Sequence, residues 1–141
     1  MSIQVHQREK EGIRILDLQG HLTIGDSEAS LRAAIAALAE AGAVHIILNL
    51  AGVTEIDDDG LGALVSCYAR IARSGGALKL LNLNPHHSSL MVLTKLDAVF
   101  EVFTDEHAAV DSFFPDRAVR HYDVLEFVQE QEKGPGPDDP K

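Results

Sequence analysis

Two periodicities and their alternation predict an α/β fold, a mixed and mostly parallel sheet packed by about four helices, for this 141-residue chain. Leu31, Ala34, Ile35 and Leu38, and later Leu61, Leu64, Val65, Tyr68 and Ile71, recur with the spacing of one apolar helix face. Between and after them "AVHIILNL" (43–50) and "ALKLLNL" (77–83) are short, nearly unbroken apolar runs, as expected of strands covered on both sides. Strands that alternate with helices need right-handed crossovers, and such crossovers build a parallel sheet.

Taken in order, "IQVHQRE" and "GIRILDLQG" are β-rich runs separated at Glu11-Gly12, which predicts a hairpin at the start of the sheet. The first helix follows "HLTIGD", with a cap expected at Asp26 or Ser27 and a stop at Gly42. The run at 43–50 is the central strand, ending with Leu48, Asn49 and Leu50, and the second helix takes its apolar periodicity from Leu61. "SGG" at 74–76 stops that helix, and Asn84-Pro85 breaks the strand after it. In "HHSSLMVLTKL", Leu90, Leu93 and Thr94 share one side of a short helix, and "AVFEVF" alternates like a strand. "TDEHAAVDSFF" reads as a closing helix with a Thr104 cap that gathers Val110, Phe113 and Phe114.

One domain over 1–115 accounts for these elements. Beyond it, Ala118, Tyr122, Leu125 and Val128, widened by Val124 and Phe127, predict an additional amphipathic helix over 116–133. So broad an apolar face must be buried, either on its own domain or on another chain in a homodimer. "GPGPDDPK" (134–141) has the composition of a disordered tail.

Composition narrows the function. A formal net charge of −10 opposes binding to a phosphate backbone, so no direct nucleic-acid partner is expected. No run is long enough to span a bilayer, and "MSIQVHQREKEGIRI" lacks a signal-peptide pattern; the expected address is the cytoplasm, without membrane insertion. The single cysteine, Cys67, lies beside the second helix's apolar stripe and reads as a small buried hydrophobe.

The most unusual stretch is "EIDDDGLGAL" (55–64), three carboxylates where a strand's connection becomes a helix. Unpaired amides and the positive end of the helix dipole stabilise an anion there, so Asp57 or Asp58 is expected to cap the helix while Gly60 eases close packing. A divalent metal is the second reading of Asp57–Asp59, although consecutive carboxylates converge poorly on one ion and the alternating calcium-loop spacing is missing. A phosphoacceptor aspartate is the third; it lacks the second acidic pair, since the first long strand offers only Asp17. There is no G-x-S-x-G elbow, no H-E-x-x-H and no P-loop. His86 and His87 are expected at a solvated helix start, His6 and His107 on the surface, and His21 and His45 at strands; none has a second ligand at useful spacing. No cofactor and no metal are expected.

The run "HIILNLAGVTEIDDDGLGALVSCYARIARSGGALKLLNL", followed by "LTKLDAVFEVFTDEHAAVDSF", resembles the STAS family, in particular bacterial anti-sigma factor antagonists. The resemblance covers about residues 8 to 114 and rests on D-x-x-G-L-G at Asp57, Gly60, Leu61 and Gly62, on Gly75-Gly76, and on Leu96, Phe100 and Asp105. It implies a non-enzymatic interaction module. In that family the domain binds an anti-sigma factor, usually a serine kinase, and so frees a sigma factor to direct transcription. The kinase inactivates the antagonist by phosphorylating a serine or threonine at the helix start, and position 58 matches that residue.

Here the residue is Asp58. Thr54, Asp57, Asp59, Gly60, Leu61 and Gly62 would form the switch loop around it. Loops at the strands' C-terminal edge share a face, which brings His21, Thr23, Gly25 and Asp26 beside that loop; with Leu61 and Ala63 they are expected to meet the partner. Two consequences compete: Asp58 imitates the phosphorylated form, or the partner has adapted to a carboxylate. Thr54, Ser66, Ser88 and Ser89 do not occupy the dipole end and are poor substitutes for the phosphosite. A STAS subunit of a signalling scaffold or transporter-associated complex, and a metal-dependent enzyme using Asp57–Asp59, are the alternatives.

Overall fold

The computed structural model describes residues 3–115. Strands β1 (Ile3–Lys10) and β2 (Ile13–Leu22) form an antiparallel hairpin, and β3 (His45–Ile56), β4 (Ala77–Leu81) and β5 (Val102–Phe103) continue the sheet in parallel, in the order β1-β2-β3-β4-β5. Helices α1 (Asp26–Glu40), α2 (Asp58–Arg73) and α3 (Pro85–Leu93) join the parallel strands, and α4 (Glu106–Asp111) follows β5. Residues 3–109 are one unit; the chain from Val110 on is a second. The helix expected over 116–133, with its part in a homodimer, and the tail expected at 134–141 lie outside the described residues.

The hairpin turns at Glu11 (φ 54°) and Gly12 (φ 85°), a two-residue loop with both residues left-handed, whose twist matches that of the strands. Alternation then sorts the sheet's faces. Leu16, Leu18, Ile46, Leu48, Leu50, Leu78 and Leu80 join Leu31, Ile35 and Leu38 of α1 and Leu61, Leu64, Cys67 and Ile71 of α2 in the core. Ile13, Ile15, Ile47 and Leu81, on the opposite face, are buried as well, which is why β3 reads as an unbroken apolar run. Cys67 is 2% exposed, and burial pushes its thiol up to about 11.

Several local expectations are corrected. The central strand does not stop at Leu50: after β4 ceases to pair at Asn49, β3 stays bonded to β2 through Leu22↔Ile56. That extension has lost one neighbour, so it carries polar residues and hides its strand character. At α1 the N-cap is Gly25 (φ 105°) without a side-chain cap; Ser27 turns its hydroxyl back to Thr23 instead. In α3, capped by Asn84, the inward residues are His87 and Met91, both 2% exposed, whereas Leu93 is 79% exposed. His87 is therefore not a solvated histidine, and desolvation pushes its pKa down. "AVFEVF" yields only the two-residue β5, because Leu96–Ala98 winds into a 3₁₀ turn that buries Phe100 edge-on against Tyr68. The closing helix is capped by Asp105 rather than Thr104, and Phe113 and Phe114 lie past its end.

A polar network crosses the face opposite α1 and α2. Arg8 donates to both carboxylate oxygens of Asp17 (2.6 and 3.0 Å) and to Glu106 (2.8 and 3.2 Å). Asp17 also accepts from Asn49 (2.7 Å), whose own carbonyl accepts from Asn82 (3.2 Å). These bonds, foremost those from Arg8, hold the carboxyls of Asp17 and Glu106 below the usual range. Because both folded-state values lie below the unfolded ones, the stabilisation is complete above about pH 5 and is lost as pH falls through the folded values. Arg8→Met is expected to melt a few degrees lower at neutral pH and to lose this part of the acid-side decline. Circular-dichroism melts between about pH 7 and pH 2.5 check this; a gap between the two proteins that is constant with pH would reject it.

Candidate functional site

The site is built where β2 and β3 run past the end of β4. His21 pairs with Glu55 across the two strands, and His21 Nδ1 lies 3.1 Å from Glu55 Oε1. Thr54, expected in a loop, lies on β3 with its hydroxyl donating to Gly20 O (3.2 Å). Gly52 is required because a Cβ there would come within 2.8 Å of Leu18 O, at the first of two register shifts in this pair.

After Ile56 the chain turns into α2, and Asp57 is the residue that starts it. Its Oδ1 accepts from Gly60 N (2.8 Å), capping the helix, and its Oδ2 accepts from Ile24 N (3.1 Å) in the loop after β2. Its own amide donates to Leu22 O (3.3 Å). One side chain thus caps the helix and ties it to the neighbouring loop, and the bonds from Gly60 and then Ile24 hold its carboxyl below the usual range. Gly60 permits the approach: a Cβ there would stand 2.0 Å from Leu22 O.

The Ile24 loop is itself closed from within. The buried Ser27 hydroxyl accepts from Thr23 N (2.9 Å) and donates to Thr23 O (2.7 Å), while Gly25 supplies a positive φ. Between these ties Ile24 projects 66% exposed, a large apolar side chain on the loop whose amide is bonded to Asp57. Sequence reasoning missed Ile24. Its one available signal was a lone β-branched residue between a threonine and a glycine.

The remaining expected residues divide. Asp58 and Asp59 are exposed in the first turn of α2, and among the described residues Asp58 makes no side-chain hydrogen bond or ion pair. The other end of the loop differs from expectation, because Leu61 (6% exposed) and Ala63 (0%) point into the core and offer no contact surface. At N-terminal helix spacing it is Gly62 that faces outward, with open space where a Cβ would be. Thr23 is buried, whereas Gly25 and Asp26 are exposed. Among the described residues no three His, Cys, Asp or Glu side chains are grouped so as to hold a metal ion, and no helix is long and apolar enough to cross a membrane. The site therefore offers an exposed carboxylate at a helix start, an apolar side chain beside it, and a rigid frame under both.

The two glycines separate frame from surface. Gly60→Ala is expected to destabilise by about 1–3 kcal/mol, because Leu22 O belongs to the backbone and must move. Gly62→Ala, in an open helical position, is expected to stabilise by about 0.5–1 kcal/mol. Urea unfolding of both variants checks this; equal effects would show that the close approach of Gly60 to Leu22 is not a constraint.

A STAS domain family model matches residues 4–109, from β1 into α4. The chain is 24% identical over 106 residues to the anti-sigma F factor antagonist of Paenibacillus polymyxa, covering 75% of this chain and 91% of that one. To the anti-sigma-B factor antagonist of Bacillus subtilis (strain 168) it is 27% identical over 110 residues, 78% and 99% of the two chains. The solved structure of the Bacillus cell fate determinant SpoIIAA in its phosphorylated form shares the fold, with a TM-score of 0.61 at 22% identity over 79% of this chain and 98% of that one. The match spans the whole sheet and the loops that carry Ile24 and Asp58, and on it the chain belongs to the STAS domain family.

Proposed function

We propose that this chain is a non-enzymatic antagonist that binds an anti-sigma factor, of the serine-kinase kind, and so regulates transcription by a sigma factor. In this reading Asp58 stands where relatives carry a phosphorylatable serine, and the partner has adapted to a permanent carboxylate. The observation that carries the proposal is the division of labour between Asp57 and Asp58. Asp57 does the capping, so the side chain at position 58 is not needed by the helix cap and, among the described residues, projects without a partner at the positive end of the α2 dipole. That is the placement of a group read by another molecule.

Charge is the ground on which we favour an adapted partner over a mimic of the phosphorylated state. A phosphoserine carries about −1.5 to −2 charges and three acceptor oxygens, whereas Asp58 offers one charge on a smaller planar group. Around it, Ile24 and the open surface at Gly62 remain available for apolar contact. An exposed apolar anchor on a loop tied to Asp57, at a helix start that also carries Asp58 and Asp59, suits a partner with an apolar pocket and Lys or Arg at its edge. Thr54, Asp59, His21, Gly25 and Asp26 frame that contact in this proposal. Cytoplasmic work beside a kinase accompanies it.

Calorimetric titration against the anti-sigma kinases of the same genome tests it, first with ADP and then with ATP. The wild type is expected to bind and to stay bound with ATP, whereas Asp58→Ser binds with ADP, is phosphorylated and is released. Binding by Asp58→Ser alone would instead make Asp58 a built-in phosphate mimic, and binding by neither would favour the scaffold or transporter-associated reading. Ile24→Asp is expected to weaken the same complex at least about tenfold with an unchanged melting temperature; undiminished affinity would remove Ile24 from the interface.

A further inference from the structure

We propose that α3 is an acid-released element: a neutral imidazole holds it on the domain, and protonation of His87 frees the helix before the rest of the domain unfolds. Two side chains of α3 are buried, His87 and Met91, one turn apart. Leu90 is half-buried against the core, whereas Val92 is 60% and Leu93 79% exposed. Half of the helix's buried anchorage therefore rests on a group that can take up a charge.

The place of the ring opposes that charge. His87 Nδ1 is buried and has no hydrogen-bond partner among the described residues. In the neutral ring a proton on Nε2 leaves Nδ1 with a bare lone pair, the lesser cost; the imidazolium puts an N–H and a positive charge there with no acceptor. His87 also stands in the first turn of α3, at the positive end of its dipole, and that turn has no acidic side chain. The side-chain oxygen of the cap, Asn84 Oδ1, already accepts from the backbone amide of His87 (2.8 Å).

Among the described residues the neighbouring elements supply no counter-charge. Met91 joins a core made by Leu78 and Leu80 of β4, Phe100 and the buried side of α2, whose one ionisable member, Cys67, keeps its proton at neutral pH. Tyr68 lies edge-on to Phe100. Lys79, between the two leucines, turns to the other face of the sheet and pairs with Glu101 (2.7 Å). On the 3₁₀ turn against which α3 packs, Asp97 is exposed, as is Lys95 before it. His86 is the charge that reaches His87, its ring centre 5.7 Å away, and it repels a second cation. Desolvation first and His86 second hold the His87 pKa below its ordinary value of 6.5. Such a group costs nothing above that value and progressively more as pH falls from it toward the folded value. This window lies above the one in which Asp17 and Glu106 lose their charges, so α3 is released first. The helix starts at the C-terminal end of β4, on the same edge of the parallel sheet where β3 leads into Asp58.

Nuclear magnetic resonance of the full chain between about pH 8 and pH 5 tests the proposal, following the histidine ring carbons and the hydrogen-exchange protection of the helix amides. The His87 ring is expected to titrate below 6.5. Protection of the α3 amides is expected to fall about tenfold per pH unit below that value, until the folded ring itself titrates, while the α2 amides stay protected. His87→Met is expected to abolish the fall and His86→Gln to keep it. Should His87→Met not fold, His87→Gln, uncharged throughout the range, takes its place, and the wild-type titration stands without either. Titration of His87 at or above 6.5, protection of α3 that ignores pH, or loss of protection in α2 and α3 together would each overturn the proposal.

Discussion

The side chain of Asp57 fastens together the parts on which the site depends. One carboxylate oxygen takes the free amide of Gly60 and the other the amide of Ile24, so the start of α2 and the loop after β2 cannot move separately. The tie closes only because Gly60 lets α2 come down onto Leu22 O, and because β3 stays paired with β2 as far as Ile56. Remove the glycine or shorten the strand pair, and the carboxylate has nothing to bridge. The position of Ile24, Asp58 and Asp59 relative to one another is a consequence of that bridge rather than of any contact among the three.

Stability and presentation are kept on different residues. The frame is made of groups with two or more partners: Asp57, Ser27 with its two bonds to Thr23, and the Arg8–Asp17–Asn49–Asn82 chain across the far face of the sheet. The groups open to a partner have few or none. Such a division leaves the side chain at position 58 outside the helix cap, since a capping residue one position earlier already satisfies the amide that matters most.

Helix α2 links two surfaces of opposite sign. Its first turn carries Asp58 and Asp59, its last turn Arg70 and Arg73, an arrangement that complements the dipole at both ends.

The alternation of strands and helices, the hairpin at Glu11-Gly12, the inward faces of α1 and α2, and the place of the three aspartates were legible in the sequence, because each is written in contacts between residues a few positions apart. D-x-x-G-L-G also marked Asp57 to Gly62 as a built turn into the second helix. Tertiary structure alone decided the rest. Periodicity could not tell that Asp57 rather than Asp58 caps the helix, since the second bond of Asp57 goes to an amide 33 residues away. Nor could it show that β3 continues past Leu50, a matter of which neighbour remains to pair, or that His87 turns inward while Leu93 and Ile24 face out. These choices depend on long-range approach of backbone to backbone, which local sequence permits, as the glycine at 60 does, but does not specify.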